Sequence, residues 1–321
     1  MDLMHANSNR EDEKVLLDYD FDLAFGADEN DFECTIDYNK HCCEGGDFLY
    51  IEGTEYGGII DSVRVDTDAK EVAYGGRTWH GILQTKILEP DAGADYLVLS
   101  GEANAVLKIL IARMNLSDLF QASAEDSGVT ISNYQMDRYI GGYSGIRKML
   151  KAFGAKLKIS FYKGMVILAA VPITDYTQDD KFDSDFMTLT IKRKYRAVNH
   201  LICLGKGELS KRKVIHLYAD ANGNVSHTQS LTGLLEVTEK YDYPSVESEE
   251  ELEQKGIEKL KSLQNADEVG VDFNGEGECY DIGDIVGAVD RITGLSVSTE
   301  ITKKIVTIKN GVTNISYKVG E

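Results

Sequence analysis

Apolar residues recur at every second position near both ends of this chain and at every third or fourth position between them. That change of period constrains the fold more than any other feature. Period two marks a strand with one covered face, and period 3.6 marks a helix laid on a core. From about residue 15 to 90 the strand period dominates. "FECTID" alternates, and "GIIDSVRVDT" turns Ile60, Val63 and Val65 to one side with one slip. After the "DTDAK" turn, Lys70 to Tyr74 returns as a further strand, and Tyr50 to Gly58 adds one punctuated by glycine. Several short strands at close spacing predict a sandwich or a barrel.

Gly75-Gly76 then break the strand, and Trp79, Ile82, Leu83, Lys86 and Ile87 follow at helical spacing up to Pro90. This predicts a short helix with Trp79, the only tryptophan, on its buried face and His80 off that face. A structural role is expected for Trp79; no acid, serine or cysteine stands at a recognisable spacing around His80, so no catalytic role is expected for it.

The 3.6 period takes over between about 91 and 185. Ser100 is placed to cap a helix carrying Ala103, Val106, Leu107, Leu110 and Met114, and Ser144 to cap a second carrying Ile146, Met149, Leu150 and Phe153, with Gly154 at its end. "AKLKISF" and "MVILAAV" form a hairpin about Tyr162–Gly164. Strands resume in "MTLTIKRKY", "LICLG" and a hairpin about Asn222-Gly223. Ser248 and Glu251 form a capping box for a helix carrying Leu252, Gly256, Leu260 and Leu263. The chain ends in strands, with Asn310-Gly311 the strongest hairpin signal and Gly283 bending the strand Tyr280–Val286. The three prolines, Pro90, Pro172 and Pro244, each fall where the pattern changes.

The expected fold is therefore α+β and mainly β: a barrel split by an inserted α+β domain and followed by a C-terminal domain of one helix and strands. The boundaries read as a flexible N-terminus 1–14, barrel 15–90, insert 91–185, barrel again 186–245 and C-terminal domain 246–321. No apolar run reaches eighteen residues, so no membrane span is indicated, and the polar, acidic opening is no signal peptide.

Net charge is −20 over 321 residues, which argues against a chain that grips nucleic acid through phosphate neutralisation. Eight bases stand between Lys192 and Lys213 against one acid, Glu208, a local +7 that leaves −27 elsewhere. Within this strip Lys192, Arg193, Lys194, Arg196, Lys211, Arg212 and Lys213 are candidates for contact with an acidic neighbouring subunit; the alternative is a solvated strand face. The five cysteines include no CxxC pair, which suits free thiols. "HCC" at His41–Cys43 resembles a metal fragment, but adjacent cysteines on a strand point opposite ways and no second cluster follows, so no metal is expected.

Enzymatic motifs fail on single residues. "GGYSGI" needs glycine where Ile146 stands, "GKGELS" has Ser210 in place of its last glycine, and the calcium-like loop at Asp220, Asn222 and Asn224 has Val225 and Leu231 where glycine and glutamate belong. The acids Asp179, Asp180, Asp183 and Asp185 read as a hydrated linker, and the six histidines lack metal-ligand spacing. No catalytic residue, cofactor or metal is expected.

One resemblance covers nearly the whole chain from about Leu16. "EYGGIIDSVRVDTDAKEVAYGGRTWHGILQTKIL" resembles the opening β-domain of the tail (baseplate) hub proteins of long-tailed phages and prophages of Gram-positive bacteria. "YDIGDIVGAVDRITGLSVSTEITKKIVTIKNGVTNISYKVGE" resembles that family's C-terminal β-segment, with "VIHLYADANGNVS" and "EELEQKGIEKLKSL" between them. The family is similar to contractile-phage baseplate hubs and to the base of type VI secretion spikes. The resemblance implies a tail-tube-like barrel and a non-enzymatic virion protein, made in the bacterial host's cytoplasm. It implies a homotrimeric ring that joins a tail tube or distal tail protein to a tip, spike or fibre protein, with DNA only in transit through the lumen. Some relatives carry a C-terminal wall-degrading module; the chain's end at Glu321 leads us to expect none here. The alternatives are a receptor- or carbohydrate-binding tail module and a wall-degrading tail enzyme.

Overall fold

The computed structural model describes residues 2–177, 181–183, 188–192, 197–246, 248–264, 268–274, 280–289, 292–294 and 296–320. The chain divides into two compact units: residues 1–190 with 270–321, and the contiguous segment 191–269. The strands Thr188–Lys192 and Glu268–Asn274 are those in which the chain passes from one unit to the other.

The first unit opens with β1 (Leu3–Ala6), β2 (Asp12–Leu16), β3 (Tyr19–Gly26), β4 (Asn30–Asp37), β5 (Phe48–Tyr50), β6 (Gly57–Asp66) and β7 (Glu71–Thr78). Helix α1 (Trp79–Gln84) leads to β8 (Ile87–Leu88), β9 (Leu97–Glu102), α2 (Ala103–Arg113), β10 (Phe120–Ala122), β11 (Thr130–Met136), β12 (Ile140–Gly141) and α3 (Gly142–Ala152). The predicted hairpin is β13 (Ala155–Tyr162) with β14 (Met165–Pro172), paired without a slip. The alternation in "DFDLAF" and "FECTI" buries Phe21, Leu23, Phe25, Phe32, Cys34 and Ile36 and leaves Asp22 and Glu33 outside.

The sequence reading expected the first strands to be completed by those of 186–245. The partners come from the C-terminal segment instead. After the short β15 (Lys181–Asp183) and β16 (Thr188–Lys192), the strands of the second unit and β21 (Glu268–Asn274) intervene before β22 (Ile285–Val289), β23 (Ser296–Lys309) and β24 (Val312–Val319). β23 pairs with β22 through its first residues, then with β24 on one side and β3 on the other, matching Lys303 to Gly26 and Lys309 to Asp20. The order in the main sheet is β16-β21-β24-β23-β3-β4-β7-β6-β5-β1-β2, so of the 186–245 stretch only β16 joins it, at the far edge through β21, and among the described residues no sheet closes into a barrel. The β23–β24 turn is the predicted one: Asn310 and Gly311 both take positive φ, 51° and 75°, as the favoured hairpin turn requires. The opening residues, expected to fray, supply β1, where Leu3 is fully buried and Met4 pairs with Tyr50.

The α+β segment does not stand as a separate unit. α2, α3, β13 and β14 share one continuous core with Ala6, Phe48, Tyr50 and Trp79. Trp79 stacks on Phe161 of β13 at 5.2 Å and on Phe48 of β5 at 6.2 Å, so its ring joins the two segments. Two predicted caps differ. Ser100 lies in β9 and accepts from Asn133 N, while Glu102 caps α2 by accepting from Asn104 N and Ala105 N; Gly141 precedes α3, and Ser144 donates to Gln84 from within it. A second tie is ionic: buried Lys156 of β13 meets Asp284 at 2.7 Å and Asp281 at 2.9 Å, with Gly283 (φ +101°) in a turn rather than bending a strand.

The second unit holds β17 (His200–Leu204), β18 (Val214–Ala219), β19 (Val225–Ser226) and β20 (Thr238–Asp242) in the order β19-β18-β17-β20, with α4 (Glu249–Gln264) packed on them. Ser248 accepts from Glu251 N at 3.1 Å, as the capping box predicts. Gly256 is the close-approach point. A Cβ there would lie 2.5 Å from Cys203 Sγ and 2.7 Å from Leu217 Cδ1. Gly256→Leu should therefore destabilise this unit by about 1–3 kcal/mol through overpacking, read as a lower denaturant midpoint for loss of its helix signal.

Candidate functional site

Of the basic strip, Arg193, Lys194 and Arg196 lie outside the described residues, as does the Lys192 side chain. The rest sit on the loop between β17 and β18, where Leu209–Lys211 form one turn of 3-10 helix and Leu209 is 94% exposed. Arg212 is engaged within its own unit: Nε donates to Gly205 O at 2.9 Å, and the guanidinium pairs with Asp242. Lys213 pairs with Glu249 at 3.2 Å. Lys206 and Lys211 are exposed beside them. The strip thus divides into residues that hold the loop and residues that present charge.

The same unit joins two histidines that sequence spacing left apart. His200 and His216 meet at 2.8 Å across β17 and β18, and His200 Nδ1 contacts Glu236 at 2.7 Å. The His200 hydrogen bond holds the Glu236 carboxyl below its ordinary range. The ring of Tyr218 stacks on His200 at 4.4 Å. Such contacts need the strand register, in which Ile202 faces His216, and no linear motif encodes that.

In the first unit His80 is not off the buried face; the whole of α1 from Trp79 to Leu83 is buried. Its ring stacks on Phe25 at 4.3 Å and meets Tyr143 edge-on at 5.2 Å. Nε2 faces Glu55 Oε2 at 3.6 Å, Glu55 Oε1 accepts from Lys304 at 2.7 Å, and Nδ1 has no partner. Burial pushes His80 down and would push Glu55 up, but Lys304 and His80 more than offset this and hold Glu55 at about 2. Burial also works against the charge on Lys304, and Glu55 outweighs it, so Lys304 is raised. The result is a buried cation–anion pair beside an imidazole whose charged form is disfavoured by burial. It ties the 51–56 loop, α1 and β23 together.

The outer face of the main sheet carries a shallow concavity of about 680 Å³ lined by Asp22, Asp31, Glu33, Asp61, Gly75 and Arg77. Asp22 lies directly opposite Glu33 across β3 and β4. Asp61 is matched by a two-point contact from Arg77, both bonds 2.8 Å. Burial and the neighbouring Glu29 raise Asp31. The Asp22 and Glu33 carboxylates are both answered by cations, Asp22 by Lys309 at 3.5 Å and Glu33 by Arg64 at 3.3 Å, so cross-strand ion pairs offset the repulsion between them.

No protein-family model matches the sequence, and no curated protein matches it. Solved structures do. The chain is similar to the 43 kDa tail protein of prophage MuSo2 from Shewanella oneidensis: TM-score 0.58, 12% identity, covering 100% of this chain and 98% of that one. It is similar to a tail protein from Neisseria meningitidis with TM-score 0.55 and 13% identity, covering 100% and 96%. It is similar to a prophage tail protein from Listeria monocytogenes with TM-score 0.54 and 13% identity, covering 99% and 94%.

Proposed function

We propose that this chain, which has the fold of phage and prophage tail proteins, is a structural component of a virion tail: a hub whose three copies form a ring between the tail tube and the tail tip, with a channel for DNA. The observation that carries the reading is the span of the fold match, end to end in this chain and nearly so in each neighbour. Fold alone is an analogy for function. Charge adds a physical argument. A lumen that passes DNA must repel phosphate, and a net charge of −20 suits that task. No helix among the described residues is long and apolar enough to cross a membrane.

On this reading the partners are two further copies of the chain, a tube or distal tail protein, and a tip, spike or fibre protein. The role is non-enzymatic. The basic strip meets an acidic surface of a neighbouring subunit through Lys192, Arg193, Lys194, Arg196 and Lys211, while Arg212 and Lys213 keep the loop in shape. Light scattering after size exclusion, alone and with the cognate tube protein, should give three times the chain's mass in at least one condition. Reversing the charge of Lys192, Arg193 and Lys194 should weaken that association more steeply at low salt than at high salt. A chain that stays monomeric with its tube protein present would end the ring reading.

A further inference from the structure

The pair Cys42-Cys43 was expected on a strand, where the two side chains would diverge. It lies instead in the loop between Lys40 and Asp47, outside any strand. Tyr74 shapes that loop. Its buried hydroxyl accepts from Cys42 N at 3.0 Å and Cys43 N at 3.3 Å and contacts His41 Nδ1 at 2.8 Å, which fills its hydrogen-bonding capacity. Both sulfurs are thereby turned to one side, 3.5 Å apart. Tetrahedral ligands with metal–sulfur bonds of about 2.3 Å stand about 3.8 Å from one another, whereas a disulfide needs about 2.05 Å. The observed separation is close to the first.

β1 brings His5 to the same place. A ring nitrogen of His5 and the two sulfurs lie within 4.8 Å of one another. The His5 side chain is 5% exposed. Its Nε2 contacts Asp47 Oδ2 at 2.8 Å, and its Nδ1 is a buried nitrogen with no hydrogen-bond partner. Asp47 is itself fixed by Glu44 N, which donates to the same oxygen at 2.9 Å. A carboxylate behind one imidazole nitrogen, with the other nitrogen left without a hydrogen-bond partner, is the arrangement that orients a histidine toward a metal.

We propose that His5, Cys42 and Cys43 form a site for a thiophilic divalent cation, Zn²⁺ by ligand type and number, with Asp47 positioning the imidazole. Two thiolates and a neutral imidazole neutralise a dication, which suits a site where Cys43 is fully buried. Binding releases the two thiol protons to solvent and involves no change of oxidation state. The half-buried Cys42 marks the side from which the ion enters and where water completes the coordination. The site fastens β1 to the 41–47 loop, so the ion acts as a staple. The proposal is independent of the tail reading.

Cobalt replaces zinc at such sites and reports its ligands. The full chain, reduced with a phosphine and freed of metal, should take up one Co²⁺ with a near-ultraviolet thiolate-to-cobalt band and the visible bands of tetrahedral cobalt, and Zn²⁺ should abolish both. Cys42→Ser, at the half-buried position, should keep the far-ultraviolet circular dichroism and lose most of the band. Asp47→Asn should weaken uptake about 10–100-fold. Cys203→Ala, in the other unit, should leave the band intact. Zn²⁺ should raise the melting temperature of the parent and not of Cys42→Ser. Absence of a thiolate band in the parent, or its survival in Cys42→Ser, would overturn the site.

Discussion

Lys304→Met should cost the folded protein about 3–5 kcal/mol, because it leaves the Glu55 carboxylate buried without its cation. The Lys304 side chain is 3% exposed and that of Glu55 18%, so water cannot take over the pairing. Equilibrium unfolding in urea, followed by Trp79 fluorescence, reads the loss in the unit concerned. Adding Glu55→Gln to Lys304→Met should recover much of it, since the uncompensated charge is then gone. A double variant no better than the single would mean that the cost is lost packing of the lysine stem. The pair also sets an acid limb. Glu55 ionises near 2 in the fold against 4.5 ordinarily, so its contribution is complete above about pH 4.5 and is lost as the pH falls toward 2. The shift corresponds to about 3 kcal/mol, and a pH–stability profile should show it in the parent and not in Lys304→Met.

Trp79→Ala should be as damaging, about 3–5 kcal/mol. The residue is fully buried, and its ring stacks on both Phe48 of β5 and Phe161 of β13. Circular dichroism replaces fluorescence as the probe here. Trp79→Phe should cost distinctly less, because Nε1 makes no hydrogen bond that phenylalanine would forfeit. Equal losses for the two variants would show that the stacking of Phe48 and Phe161 depends on the full indole.

The residues that announced themselves in the sequence are those whose fate is decided locally. The alternation in "DFDLAF", the hairpin at Asn310-Gly311 and the Ser248–Glu251 cap all involve neighbours in the chain, and all appear in the fold. The caps of α2 and α3 were misplaced because a serine hydroxyl serves any nearby partner. Ser100 found Asn133 across a strand pair, and Ser144 found Gln84 of another helix. Partner choice between distant strands was not legible. Nothing in "EITKKIVTIK" names β3 as its neighbour, since any alternating strand has a similar edge. His80 was misjudged for a related reason. A one-face reading assumes a helix on a surface, whereas α1 is enclosed on all sides by β4, β6, β7 and α3. The His5–Cys42–Cys43 group was hidden twice, by the distance to β1 and by a loop mistaken for a strand.

The pairing of β23 with β3 has a consequence for biosynthesis. Lys303 meets Gly26, so roughly 280 residues must leave the ribosome after β3 before its partner exists. At about 5–20 residues per second this is a wait of roughly 15–60 s. Throughout it the Phe21–Phe25 strand has one unsatisfied edge, while the contiguous 191–269 segment emerges whole and is free to fold at once. A nascent chain halted before Ser296 should therefore hold a finished small unit and an open large one. Such an intermediate invites chaperone binding, and its lifetime is set by translation speed.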